Sequence, residues 1–82
     1  MSGRLEQLHH VVALALNVDD AEVGDDASMD TVGAWDSLRH LYVVMAVEEA
    51  FDVKFDDGEA VAVTSFALIR GALERRGLTF SS

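Results

Sequence analysis

Trp35-Asp36-Ser37-Leu38-Arg39-His40-Leu41 is the stretch whose reading decides the fold of this chain. After Ser37 comes a run, Leu38 to Phe51, without glycine or proline, so a helix is expected to start at the serine. Ser37 reads as its N-cap, because a short hydroxyl accepts from the free N–H groups of a first turn. The same place suits a modified serine, since those groups and the positive end of the helix dipole stabilise an added anion. As an isolated feature, a serine at a helix start is no more than a cap.

Beyond Ser37 the helix carries more apolar residues than one core face needs. Leu41, Val44, Val47 and Phe51 form one stripe, assigned to the core. Leu38, Tyr42 and Met45 form a second, about 125° away at about 100° per residue. Glu49 and Asp52 lie on this second stripe, and Glu48 falls between the two. Apolar contacts framed by carboxylates describe a docking surface, where charge steers a partner and Leu38, Tyr42 and Met45 supply burial. Packing against the preceding loop is the competing use, and Val43 and Leu38 stand open to it.

Upstream, Leu5, Leu8, Val12, Ala15 and Leu16 share a face at helical spacing, with Ser2 or Gly3 near the start. From Asn17 to Trp35 the periodicity fails, and Val23, Met29 and Val32 remain as scattered anchors in a long polar connection. Loops of this length tend to be functional. Downstream, residues 58–62 suit one short helical turn. Thr64 or Ser65 then caps a last helix whose Phe66, Ile69, Ala72 and Leu73 share a face. Arg75 and Arg76 suit the dipole in its final turn, and Gly77 is its stop. No segment alternates as a strand does. The expectation is one all-α domain over residues 1–82. It is a four-helix bundle of three main helices and a short one, over 3–17, 37–52, 58–62 and 65–76.

The 82 residues leave room for one core and contain no cysteine, which excludes disulfides and thiolate metal sites. No apolar run approaches the roughly 20 residues of a membrane span, and no apolar signal region follows Arg4. A soluble, cytoplasmic, free-standing monomer is expected. Fifteen acids against six bases give a net charge of −9, which disfavours nucleic acid and anionic membrane as partners. Thirteen of those acids lie between Asp19 and Glu59, opposed there only by Arg39 and Lys54. Such a surface attracts basic protein partners, although simple solubility would also account for it.

Asp36-Ser37-Leu38 followed by Met45-Ala46-Val47-Glu48-Glu49-Ala50-Phe51-Asp52 resembles the acyl carrier protein family over essentially the whole chain. The three-residue motif is weak alone and becomes specific with the spacing behind it, the length and the acidity. The resemblance implies a four-helix bundle whose Ser37 receives 4′-phosphopantetheine from coenzyme A and carries cargo as a thioester. It implies that Asp36 helps to position the modifying phosphopantetheinyl transferase, near that enzyme's magnesium. Glu48, Glu49 and Asp52 match acidic positions that meet basic patches on acyltransferase, adenylating, ligase or ketosynthase-type partners. Leu38, Arg39, Tyr42 and Met45 complete the docking set, and Leu41, Val44 and Ile69 are candidates to line an acyl pocket. Arg39 and Tyr42 replace acids common in fatty-acid carriers. Trp35 and His40 resemble discrete carriers of polyketide and related natural-product pathways. A peptidyl or aminoacyl carrier shares the fold and the serine.

Two other classes compete. Ser37 and His40 are close enough in sequence to touch on a helix, and Asp36 sits beside them. Adjacent residues on a helix point apart, and no nucleophile elbow or oxyanion site accompanies them, so a non-catalytic role is expected. His40 reads instead as a packed or edge histidine. His9 is expected to border the core and His10 to face water, which makes no metal site. The aspartates fail the calcium-loop pattern as well: a loop begun at Asp19 has Ala21 and Val23 at ligand positions, and one begun at Asp52 has Lys54. The last competitor is an acidic helical interaction module without a prosthetic group, in which Ser37 only caps.

Overall fold

The computed structural model describes residues 3–78 and 80. Among them are four α-helices: α1 (Arg4–Leu16), α2 (Ser37–Phe51), α3 (Asp57–Ala62) and α4 (Phe66–Glu74). A single 3-10 turn, Asp20–Glu22, interrupts the connection between α1 and α2, and no strand occurs among the described residues. The molecule is a small all-helical bundle, and no described helix is long and apolar enough to cross a membrane.

Three helices end in the same way, and local chemistry explains each end. Asn17 and Asp52 take left-handed backbone (φ 59° and 54°), and Gly77 does so after α4 (φ 93°). The next N–H in each case turns back to a carbonyl five residues earlier: Val18 to Ala13 (3.0 Å), Val53 to Glu48 (3.0 Å) and Leu78 to Leu73 (3.3 Å). These bonds satisfy carbonyls that the last helical turn would otherwise leave free. Asn and Asp tolerate left-handed backbone better than other side-chain-bearing residues, so they stand where glycine is usual. Regular α-helix stops at Glu74 rather than Arg76, because the closing turn takes residues 75–77. The helix starts also follow side chains. Asp36, Asp56 and Ser65 accept from the backbone N–H three residues on, whereas Gly3 begins α1 without a side-chain cap. Ser2 lies outside the described residues.

The core gathers Leu8, Val12 and Leu16 from α1, Val43 and Val47 from α2, and Phe66, Ile69 and Leu73 from α4. The long connection is not a free loop. Val23, Ala27 and Trp35 are buried in that core, and Met29 and Val32 pack against it. The Met29 N–H bonds Thr64 (3.0 Å) and the Phe66 N–H bonds Ala27 (2.8 Å), so the loop is stitched to the start of α4. Phe55 and Val63, on either side of α3, are buried as well, which fixes the short helix at both ends.

Candidate functional site

The start of α2 differs from expectation in a way that bears on Ser37. The N-cap is Asp36, whose Oδ1 accepts from the Arg39 N–H at 2.8 Å. Its carboxylate reaches one bond further than a serine hydroxyl, and its charge suits the positive end of the dipole. Ser37 is therefore the first helical residue rather than the cap. Its side chain is exposed, and the cap does not need its hydroxyl.

Trp35 and His40 hold this turn from beneath. Trp35 is 1 % exposed and His40 7 %. The Trp35 Nε1–H donates to His40 Nδ1 (3.0 Å), and His40 Nε2 lies 2.7 Å from the Ala60 carbonyl in α3. An indole nitrogen only donates and a carbonyl only accepts, so the two bonds together require a neutral imidazole with its proton on Nε2. Both ring nitrogens are engaged, and His40 has no lone pair left for Ser37. The packed-histidine reading holds, and Trp35 is a buried anchor of the loop. Sequence reasoning missed the bond between them, because it depends on how the loop folds back onto the helix.

Arg39, placed in the docking set by the sequence, is engaged within the bundle. Its Nη1 donates to the Leu16 carbonyl at 2.8 Å and its side chain is half-buried. α1 has no basic residue in its own last turn, and Arg39 supplies that charge from the next helix. This contact also places the end of α1 beside the start of α2.

The faces of α2 are divided differently from the sequence-based assignment. His40, Val43, Val44 and Val47 are buried, and Phe51 is half-buried against Phe80, with ring centroids 6.0 Å apart. Leu41, assigned to the core stripe, is 59 % exposed. It joins Leu38, Tyr42 and Met45 on one solvent-facing apolar strip, and Val43 takes its place inside. At about 100° per residue the buried set centres on the side opposite this strip, wider apart than the sequence pattern suggested. Val44 and Ile69 sit in the packed core while Leu41 lies outside, so the three acyl-pocket candidates do not face a common space. A shallow groove elsewhere runs between α1 and the 3-10 turn, lined by residues such as Glu6, His10, Asp20 and Val23 and by none from α2. Exposed Val61 follows Ala60 in α3, the helix that touches His40, and was not singled out in the sequence.

The three acids grouped as docking residues also separate. Glu48 is half-buried, and its Oε2 accepts from the Phe55 N–H at 2.8 Å, which ties α2 to the approach to α3. Asp52 is exposed and forms the left-handed end of α2. Glu49 is exposed on the outer face. A further carboxylate is engaged at α3: Glu59 pairs with Arg75 (3.3 Å) and closely with Arg76. The hydrogen bond from Arg76 holds the Glu59 carboxyl below the usual range, against the opposing effect of partial burial. The same bond from Glu59 raises Arg76 further above its ordinary value. Arg76 also lies 4.7 Å over the Phe55 ring and donates to the Lys54 and Ala72 carbonyls, so it joins α3 to α4.

His9 borders the core as expected. It stacks on Phe66 (4.2 Å between centroids), reaches the Val23 carbonyl and pairs with Asp25 at 3.0 Å. His10 is exposed and pairs with Asp20, also at 3.0 Å. Among the described residues no cluster of His, Asp or Glu is arranged to hold a metal ion. No protein-family model matches the chain.

Proposed function

We propose that this chain is a carrier protein bearing 4′-phosphopantetheine on Ser37 and presenting acyl or aminoacyl thioesters to partner enzymes. The observation behind the reading is the position of Ser37: exposed, at the first residue of α2, with the cap hydrogen bond made by Asp36 instead. A phosphodiester there fits the site. The first-turn N–H groups not used by Asp36 lie beside it, and they and the helix dipole favour an anion. Bound, the arm supplies a terminal thiol for the thioester. The chain's own residues provide the attachment point, a rigid helix start and a face on which enzymes dock.

That face is the strip of Leu38, Leu41, Tyr42 and Met45, edged by Glu49 and Asp52. Apolar contact gives burial, and the net charge of −9 steers basic partners. The expected partners are a phosphopantetheinyl transferase and acyltransferase, adenylating, ligase or ketosynthase-type enzymes. The resemblance carried by Trp35 and His40 favours polyketide or related natural-product biosynthesis.

Intact-mass measurement after incubation with coenzyme A and a broad-specificity phosphopantetheinyl transferase tests this reading. One phosphopantetheine on the wild type and none on Ser37→Ala is the expected result. Folded wild type that gains no mass would reject it and leave an acidic helical interaction module as the better account.

A further inference from the structure

His40 is a buried titratable side chain that the carrier reading does not use. It joins three parts of the fold: Trp35 in the loop, α2 on which it sits, and α3 through the Ala60 carbonyl. Both bonds depend on one neutral tautomer. A proton added at Nδ1 replaces the acceptor lone pair with an N–H that faces the indole N–H, and two donors cannot share that bond. The imidazolium would also lack an anionic partner. In the adjoining turn, Asp36 accepts from the Arg39 N–H, and on α2 Arg39 itself is bonded to Leu16. On α3, Asp56 caps the helix and Glu59 is paired with Arg75 and Arg76. Among the described residues, none of these groups bonds to the ring. A buried charge without a partner is costly, so the ring takes a proton only where the local structure opens to admit it.

We propose that the Trp35–His40–Ala60 bridge is a proton-operated latch: with His40 neutral it clamps the turn presenting Ser37 to α2 and α3, and protonation releases Trp35. The latch is independent of whether Ser37 is modified. It would make the order of the Ser37 turn sensitive to acid while the rest of the core, held by Leu8, Val47, Phe66 and Leu73, stays folded.

Trp35 is the single tryptophan of the chain and reports the latch directly. Its emission and its quenching by acrylamide would be followed from about pH 8 to about pH 5, the range in which histidines change charge. The expected result is a red shift and a several-fold rise in quenching at the acid end, with the far-UV helix signal unchanged. The step should disappear in His40→Gln and persist in the double variant His9→Asn, His10→Asn. Nitrogen chemical shifts of the histidines in the unaltered protein add a readout that requires no variant, with His40 expected as the Nε2–H form at about pH 8. A protonated Nδ1 with a bare Nε2 would overturn the proposal. So would a fluorescence response that is absent from folded wild type, that survives in His40→Gln, or that coincides with loss of helix.

Discussion

One face of α2 sets His40, Val43, Val44 and Val47 into the core, whereas the other holds Leu38, Leu41, Tyr42 and Met45 in solvent. Both are mostly apolar, so hydrophobicity does not distinguish them. Their shapes differ. The inner face is built of short β-branched valines that admit close approach by α1, with a histidine that meets a hydrogen-bonding partner on each side. The outer face is built of longer, adaptable side chains and leads toward Glu49 and Asp52. A contiguous exposed apolar strip on a small protein commonly marks an interaction site.

The sharpest way to break this comparison is to truncate one residue on each side. Val47→Ala removes two buried methyl groups from a fully packed position and should cost about 2 kcal/mol, counting transfer and residual cavity. Met45→Ala, at a residue 64 % exposed, should stay within about 0.5 kcal/mol. Urea denaturation followed by circular dichroism gives both values. Equal losses would mean that the outer strip is covered in the folded protein.

A smaller effect separates two adjacent acids. Glu48→Ala leaves the half-buried Phe55 N–H without its acceptor and should cost about 1.5 kcal/mol, in the range for a hydrogen bond to a charged group. Glu49→Ala should change stability by less than about 0.5 kcal/mol. In the carrier reading Glu49→Ala would instead slow transferase loading, and more so at low salt, where steering is strongest. A matched pair of denaturation curves and loading rates for the two variants checks the division.

Much of this arrangement was legible in the chain. Three of the four helices follow from the apolar spacing of Leu8, Val12 and Leu16, the glycine-free run after Ser37, the Ser65 cap and the stop at Gly77, and the short stretch at 58–62 anticipated α3. The start of α2 was legible too, although Asp36 rather than Ser37 makes the cap, because capping depends on reach and on where the chain enters the helix. The stripe assignment on α2 failed at Leu41 because a helical pattern gives angles without an origin. Counting from Leu41, Val44, Val47 and Phe51 gives a plausible face. Only the position of α1 and the loop shows that Val43 and His40 turn inward instead. Contacts such as Arg39 to Leu16, Trp35 to His40 and Glu48 to Phe55 leave little trace in sequence, since each joins residues brought together by tertiary packing.

Outside α2, Glu59 offers a pH test with a weaker expected effect, since ion pairs near the surface add little stability. Arg76 holds its carboxyl below the ordinary value of 4.5, which means that the folded chain binds this proton less tightly than the unfolded chain does. The stabilisation is therefore complete above about pH 4.5 and is lost as pH falls through the lowered folded value. Wild type should lose stability more steeply than Glu59→Gln below pH 4.5. Parallel slopes in the urea midpoints of the two proteins would show that the tie between α3 and α4 contributes nothing measurable.

The smallest expected change is the one that discriminates most finely between the two faces. Leu41→Gln exchanges an apolar residue for a polar one of similar length, and both are good helix formers, so propensity adds almost nothing. Were Leu41 part of the core stripe with Val44 and Val47, the variant would bury an amide and lose packed methyl groups, at a cost of about 2 kcal/mol or more. At 59 % exposure the cost should be less than about 0.5 kcal/mol. In the carrier reading the same variant should nevertheless weaken docking of the transferase, because apolar burial on that strip is realised only when a partner covers it. Stability retained with loading slowed would assign Leu41 to the outer face by function as well as by geometry. Stability retained with loading unchanged would move the docking contact elsewhere on the strip, toward Leu38, Tyr42 and Met45.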